Sequence, residues 1–268
     1  MEKIKTIVLK EWSEIFKNRF VLLTVLLMPL VLTIIPLVSL ASITGAMSAE
    51  VDSFATTDES SPDAFTERFC PGDFNQTDCL QVYMINLFTL MFMIMPVAIP
   101  VTIAAYSIVG EKTNRSLEPL LATPLTTVEL IVAKILAAAI PALLATWTGF
   151  TIYVIALRLM MADHIFRTIL DPMWWMAIFI LGPLFTLLAI SVAIMISSRV
   201  SDPRIAEQIS ALVILPIILL MVGQSMNLII INRTFVIIMI IAAAILDTIL
   251  IFLSFRIFQR ESILTRWK

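Results

Sequence analysis

Six long stretches of the chain carry almost no charged residue, and they constrain its fold more than any other feature. They are residues 20–49, 80–110, 135–157, 172–198, 208–232 and 234–255, the last interrupted only by Asp247. A helix needs roughly 20 apolar residues to cross a bilayer. Long apolar runs without strict alternation are typical of helices and not of barrel strands. The sequence therefore predicts an all-α membrane protein with six transmembrane helices.

Composition excludes a water-soluble fold. Of the 268 residues, 60% are hydrophobic and 14% are charged, whereas a soluble domain is about 45–50% apolar and about 25% charged. A small globule cannot hide that much apolar surface. The net charge of −2 and the single histidine argue against a basic nucleic-acid-binding surface and a histidine-rich metal site. We expect neither nucleic acid nor a bound metal.

The distribution of basic residues predicts the orientation of the chain. If the N-terminus lies in the cytoplasm, fourteen of the eighteen Lys and Arg residues fall in inner segments and four in outer ones. Lys and Arg favour the cytoplasmic side of a membrane. Six spans then place both termini in the cytoplasm, and we expect a multi-pass protein of the cell membrane.

Residues 1–19 precede the first span and have the pattern of an amphipathic helix. Ile4, Val8, Trp12 and Ile15 recur at helical spacing, with most of the lysines on the other side. Such a helix lies in the inner interface with its lysines towards anionic lipid headgroups. A simple topology anchor is the alternative. The remaining residues, 20–268, form the six-span domain.

Residues 50–79 are the only sizeable polar segment and are predicted to form a small, acidic external loop. Cys70 and Cys79, the only cysteines of the chain, both lie in it. Because the outer compartment is oxidising, a disulfide between them is expected, with two free thiols as the alternative.

Polar and proline residues inside the spans are the next candidates for function. Asp247, Asn86 and Gln208 could line a translocation path, although Asp247 could equally be a buried carboxyl bonded to a neighbouring helix. Lys134 begins the third span, where a lysine is expected to extend towards the inner interface. Seven prolines lie within spans and are expected to kink them: Pro29, Pro36, Pro96, Pro100, Pro141, Pro183 and Pro216.

The loop at residues 111–127, between the second and third spans, is the most informative segment. Leu117, Leu120 and Leu121 fall on one face of a short predicted helix that Pro124 ends. Thr126 or Thr127 can cap the helix that follows, with Glu129 near its N-terminus. A short charged helix on the inner side suits docking to a partner, and an ordinary interfacial loop is the alternative.

This segment resembles the membrane permeases of type-2 ABC exporters. The resemblance rests on a Glu-Lys-x-x-x-Ser-Leu-Glu-x-Leu-Leu-x-Thr-Pro-Leu-x-x-x-Glu-Leu-x-x-x-Lys pattern that starts at Glu111 and ends at Lys134, with Ala133 where the family usually has a glycine or other small residue. It implies a coupling helix that docks in a groove of a cytoplasmic ATPase. The implied contact residues are Glu111, Lys112, Arg115, Ser116, Leu117, Glu118, Leu120, Leu121, Thr123 and Pro124.

The resemblance further implies the composition of the transporter. Two ABC ATPase subunits would bind ATP and Mg²⁺, while this chain would carry no cofactor and pair with a second permease copy or a paralogue. The chain is not expected to be an enzyme, because none of its six glycines has the spacing of a phosphate-binding P-loop. ATP would then drive alternating-access efflux of a drug, peptide, lipid or ion.

Two other classes of function compete with this interpretation. A membrane-embedded lipid enzyme needs acids, histidine or nucleophiles clustered near one membrane face, and the chain has one His and a loose acidic loop. An ion-coupled carrier or channel favours several intramembrane charges, and only Asp247 lies well inside a span. Both alternatives are therefore weaker than the exporter.

Overall fold

A computed structural model describes residues 2–17, 19–54, 76–113, 126–200, 202–226, 228–229 and 231–257. Within these residues every regular element is a helix. Six helical segments in this part of the chain are long and apolar enough to cross a membrane. The predicted fold class and number of spans are confirmed, while the orientation of the termini stays a prediction.

The described residues form eleven α-helices. In chain order they are α1 (Glu2–Ile15), α2 (Arg19–Phe54), α3 (Gln76–Met91), α4 (Met95–Thr113), α5 (Thr127–Met160), α6 (Asp163–Phe166), α7 (Pro172–Met176), α8 (Gly182–Arg199), α9 (Pro203–Ser210), α10 (Leu215–Ser225) and α11 (Arg233–Ile257). The spans within them are Val21–Ser42, Asp78–Ser107, Val128–Met160, Pro172–Arg199, Pro203–Ser225 and Arg233–Ser254. The second, fourth and fifth spans each comprise two α-helices joined by an irregular helical turn.

The second span is the centre of the packing. Its helix α4 lies against α8 of the fourth span and α5 of the third, the first span packs on α5, and the sixth packs on α8. An aromatic cluster marks the middle of this core, where the ring of Phe92 lies 5.9 Å from that of Phe150 and 5.0 Å from that of Tyr153. The functional residues below are positioned by this central span.

Irregular turns occur just before three of the intramembrane prolines. Two are 3₁₀ turns, Phe92–Ile94 before Pro96 and Ala211–Ile214 before Pro216, and one is a π turn, Ala177–Leu181, before Pro183. Proline has no N–H for the carbonyl four residues earlier. In the two 3₁₀ turns that carbonyl, on Phe92 or Leu212, accepts from the N–H three residues ahead instead. Local rewinding thus satisfies backbone groups that lipid cannot.

Polar contacts hold α6, which follows the third span on the predicted outer side. Asp163 of α6 pairs with Arg158, and the hydrogen bond from that guanidinium lowers the pKa of the Asp163 carboxyl. His164 Nε2 lies 3.1 Å from Asp78 Oδ2 and so links α6 to the start of the second span. The neighbouring Cys79 is disulfide-bonded, and Cys70, the only other cysteine, lies outside the described residues.

Candidate functional site

Three polar side chains from three helices meet at the predicted inner end of the second span. Lys134 Nζ of α5 lies 2.9 Å from Glu11 Oε1 of α1 and donates to Ser107 Oγ of α4 at 2.9 Å. Ser107 Oγ in turn donates to Glu11 Oε2 at 2.6 Å. Glu11 is 2% exposed and Lys134 is 6% exposed. We call Glu11, Ser107 and Lys134 the buried triad.

Close packing of α1 on α5 positions Glu11 in this triad. Ile7 and Val8 pack on Ala133 and Ala137 of α5. Trp12 Nε1 donates a hydrogen bond to the carbonyl oxygen of Ala137 at 2.9 Å. The two alanines let the helices approach closely, as small residues do at helix interfaces in membranes. Ala133 is fully buried, so a larger side chain there would push α1 away from Lys134.

A capping box fixes the beginning of α5. Thr126 Oγ1 accepts from the N–H of Glu129 at 3.2 Å, and Glu129 Oε2 accepts from the N–H of Thr126 at 2.9 Å. Of the two threonines that the sequence allowed, Thr126 is therefore the N-cap. This reciprocal arrangement satisfies two backbone donors that would otherwise lack partners. The third span thus has a defined start where the 111–127 loop ends.

A second polar contact joins the second and fifth spans near the same end. Thr102 Oγ1 of α4 donates to Glu207 Oε1 of α9 at 2.6 Å. Beside this bond, Ala206 of α9 packs on Ala105 and Val109 of α4. Asp202 caps α9 by accepting from the N–H of Arg204 at 2.8 Å. These contacts join α1 to α4 and α5, the two helices that flank the 111–127 loop, and they join α9 to α4.

The predicted interfacial residues of α1 are placed against protein. Val8 and Ile15 are buried, while Ile4 and Trp12 are half-buried and pack against α5. The exposed side chains of α1 include Lys5, Lys10 and the apolar Leu9. The amphipathic pattern is thus present, and its apolar side covers the third span.

The predicted coupling residues fall mostly outside the described part of the chain. Glu111 and Lys112 lie in the last turn of α4, and their side chains are not described. Arg115, Ser116, Leu117, Glu118, Leu120, Leu121, Thr123 and Pro124 lie outside the described residues. The helix predicted for this loop stays a prediction.

The three candidate path residues lie at different depths. Asn86 accepts from Trp174 Nε1 at 3.2 Å on the predicted outer side, whereas Gln208 is exposed on α9 at the other end. Asp247 is 4% exposed, and neither of its carboxyl oxygens has a hydrogen-bond partner among the described residues. The structure therefore does not join these three residues into one site.

The prediction for Lys134 is wrong, and the sequence offered a signal for its real environment. Lys134 does not extend to the interface, because α1 covers it and Glu11 supplies the opposite charge. Glu11 falls on the apolar side of α1, one turn after Ile7 and one turn before Ile15. An acid on the buried side of an amphipathic helix indicates a buried cation as its partner.

The described residues hold no group of three or more His, Cys, Asp or Glu side chains suited to a metal ion. The contacts observed at the inner end of the second span are charge pairing and helix packing. They join α1 to both helices that flank a charged loop.

Comparison with known families decides which class of protein has this architecture. The family described as ABC-2 family transporter protein matches residues 5–261. The chain belongs to the ABC-2 transporter family. No curated protein matches it significantly. The family is that of the transmembrane component of ABC transporters, which is not itself catalytic and associates with ABC ATPases.

Proposed function

We propose that this ABC-2 permease is the membrane half of an exporter in the cell membrane. It would pair with a second copy or a paralogue and with two cytoplasmic ATPase subunits. Those subunits would bind ATP and Mg²⁺, while this chain supplies the translocation path and no cofactor. The family membership and the six spans support this proposal. The proposed efflux substrate belongs to one of the four classes named from the sequence: a drug, a peptide, a lipid or an ion.

The loop at residues 111–127 is the proposed docking element for the ATPase. The second span leads into it through α4, which ends at Thr113, and the third span leaves it through α5, which begins at Thr127. A push on this loop would therefore act on the inner ends of two spans at once. Glu118 and its neighbours are the proposed contact residues.

The buried triad carries the proposal, because it makes α1 part of the same moving unit. Its three hydrogen-bonded contacts, all shorter than 3.0 Å, link α1 to the helices on both sides of the loop. Pulling these helices apart would leave a buried charge without its partner, which favours movement of the three helices as one unit. Movement at the loop would thus be transmitted as a rigid displacement of α1, α4 and α5. Switching between inward and outward access would follow from this displacement.

The test is recovery of the ATPase with the tagged permease. Membranes of the native host are solubilised in mild detergent, and the purified complex is analysed by mass spectrometry and assayed for ATP hydrolysis. We expect a near-stoichiometric protein with a P-loop. Glu118→Lys should abolish recovery of the ATPase, because the reversed charge on the loop no longer pairs with the groove of the ATPase.

The matched control reverses an acid on the opposite side of the membrane. Asp163→Lys breaks an exposed ion pair with Arg158, and such pairs contribute little to stability. It should leave the ATPase bound. Equal recovery with Glu118→Lys and wild type would refute the coupling assignment. Absence of any P-loop protein after crosslinking in native membranes would refute the exporter itself.

A further inference from the structure

Asp247 is a buried acid inside the sixth span that the proposed coupling mechanism does not use. Its neighbours on α11 contact lipid, since Leu246 is 48% exposed and Ile249 is 56% exposed. Asp247 itself is 4% exposed, and no described residue bonds either of its carboxyl oxygens. The carboxyl therefore faces protein, although protein offers it no bonding partner among the described residues.

A narrow stripe of α11 carries this acid. The buried members of the stripe are Val236, Ala243, Asp247 and Ser254, which follow one another at intervals of seven, four and seven residues and so share one side of the helix. The elements that pack most closely on α11 are α8 of the fourth span and the π turn Ala177–Leu181. Asp247 thus lies in the contact between the fourth and sixth spans.

The part of the fourth span at the level of Asp247 is apolar. Being two spans apart, the fourth and sixth run in the same direction, and Ser254 Oγ lies 3.5 Å from the carbonyl oxygen of Ser191. Asp247, two turns before Ser254, is therefore level with α8 about two turns before Ser191. Residues 182–190 there include one polar side chain, Thr186, whose hydroxyl donates to a carbonyl one turn earlier at 3.1 Å.

The elements packed on α11 carry few ionisable groups, and α7 and the π turn carry none. The others are Arg199 on α8, Glu129, Lys134, Tyr153 and Arg158 on α5, and Arg233 and Arg256 near the two ends of α11 itself. Lys134 and Arg158 are paired with other acids. A carboxylate without a compensating charge is so costly in an apolar interior that the group binds a proton and becomes neutral.

Hydroxyl groups continue the stripe on one side of the acid. Ser191 and Ser254 are each 1% exposed, and Ser191 Oγ has no hydrogen-bond partner within the described residues. They lie about 10 Å closer to the predicted inner end than Asp247, at the rise of two helical turns. Towards the outer end the stripe continues with Ala243 and Val236, which are apolar. A polar route from the carboxyl therefore leads inwards.

The contact between α8 and α11 is suited to opening. Only 17% of the most apolar part of the sixth span is buried, so a single narrow side holds this helix. The π turn beside it interrupts the regular hydrogen-bond ladder, and helices bend readily at such places. Because α8 packs closely on α4, a displacement of α4 would move α8 relative to α11.

We propose that Asp247 is a proton-binding site whose carboxyl holds a proton while α11 packs on α8 and releases it inwards when the two helices separate. A proton is a ligand that needs no cavity, and the packed contact has room for nothing larger. On opening, the O–H bond of the carboxyl breaks, the carboxylate stays hydrated, and the proton passes to water along Ser254 and Ser191. The carboxylate takes a proton from water before the helices pack again. Release during transport rests on the proposed function, whereas the bound proton does not.

Infrared spectroscopy of the permease alone in liposomes tests the bound proton. A neutral carboxyl and a carboxylate have separate C–O stretching bands. The difference spectrum between wild type and Asp247→Asn should show loss of a neutral carboxyl band. The matched control is Asp163→Asn, which should remove a carboxylate band, because Asp163 is exposed and paired with Arg158.

The spectra decide the site without any partner protein. Loss of a carboxylate band with Asp247→Asn would overturn the proposal, because the acid would then be ionised and bonded by a cation of another chain. If the asparagine variant does not fold, Asp247→Leu gives the same comparison, since an apolar side chain suits the apolar contact.

The pH dependence of ATP hydrolysis by the complex tests release. Asp247→Asn resembles the neutral carboxyl but has no proton to release, so its rate should match wild type in mildly acidic buffer, where wild type also keeps its proton. In mildly alkaline buffer the variant should hydrolyse ATP more slowly than wild type. The ratio for Asp163→Asn should stay constant with pH.

Two results separate failure of this inference from failure of the proposed function. A constant ratio for Asp247→Asn in a complex that hydrolyses ATP would overturn proton release and leave the exporter intact. A neutral carboxyl band in a permease that binds no ATPase would support the proton site while refuting the exporter. Ser254→Ala, which shortens the hydroxyl route, should slow wild-type hydrolysis in alkaline buffer, and an unchanged rate would overturn the inward route.

Discussion

The second and sixth spans differ in a way that their hydropathy does not predict. The sixth span has the higher mean hydropathy, yet 17% of its most apolar window is buried, against 83% for the second. The buried residues of the second span include small or polar ones such as Ala98, Thr102 and Ala105, beside large apolar ones such as Phe92 and Ile99. The sixth exposes large aliphatic side chains such as Ile238 and Ile245. Hydropathy therefore identifies a helix that can cross a membrane, and it does not identify which of these helices packs against protein.

The same comparison separates two kinds of buried charge. The second span ends beside Lys134 and Glu11, which are paired and bonded to Ser107. The sixth span buries Asp247, whose carboxyl oxygens have no hydrogen-bond partner in the part of the chain that the structure describes. The inner end of the second span thus holds a charge pair whose members are hydrogen-bonded, and the peripheral span carries an acid for which the described residues offer no bonding group.

The largest expected effect is at the buried triad. Lys134→Met leaves the Glu11 carboxylate buried and uncompensated, so we expect a loss of about 3–5 kcal/mol in the stability of the α1–α5 contact. Faster tryptic cleavage at the exposed Lys10 would report this loss. The double variant Glu11→Leu with Lys134→Met should recover most of it, since an apolar pair of similar volume is often neutral.

Either of two results would contradict this account of the triad. If the double variant is cleaved as fast as Lys134→Met, then an apolar pair of similar volume cannot replace the ion pair, and the charges themselves stabilise the α1–α5 contact. If Lys134→Met is cleaved at the wild-type rate, α1 is held by Ile7, Val8 and Trp12 alone, and the triad does not join the three helices.

A matched pair of alanines tests the difference between the spans directly. Ala105 of the second span is fully buried against α9, and Ala242 of the sixth is exposed. Overpacking a filled interface costs typically about 1–3 kcal/mol, so Ala105→Leu should lower the thermal unfolding temperature in detergent. Ala242→Leu should leave it unchanged. Equal shifts would mean that α11 is packed against another protein surface at Ala242.

A smaller effect is expected at the start of the third span. Thr126→Ala removes the side-chain acceptor of the capping box, which typically costs about 1 kcal/mol. Thr127→Ala is the control, because the capping bonds come from Thr126. Both variants are compared by chemical denaturation. A larger loss with Thr127→Ala would show that its side chain has a structural role of its own.

The sequence predicted the features that depend on one helix at a time. Charge-free runs gave the six spans, and the Thr-x-x-Glu pattern gave the cap of α5 to within one residue. Both are local signals, since length and spacing suffice to recognise them.

Contacts between helices were not predictable in this way. The pairing of Glu11 with Lys134 joins residues 123 positions apart, and it exists because α1 lies along α5. The bond from Thr102 to Glu207 likewise depends on the placement of α9 beside α4. Periodicity shows which side of a helix is apolar, but not which helix covers that side. Ser107 carried no signal at all, because a lone serine is ordinary in a membrane helix.

The smallest expected effect, at Asp247, is the sharpest test of the comparison. Asp247→Leu replaces a buried carboxyl, for which no described residue is a bonding partner, by an apolar side chain of similar length. Because an unsatisfied polar group is costly in an apolar interior, the unfolding temperature should stay the same or rise. Lost stability would mean that a second permease copy or another unseen group bonds the acid. Unchanged stability with abolished efflux would instead place Asp247 on the translocation path, since only function then requires the carboxyl.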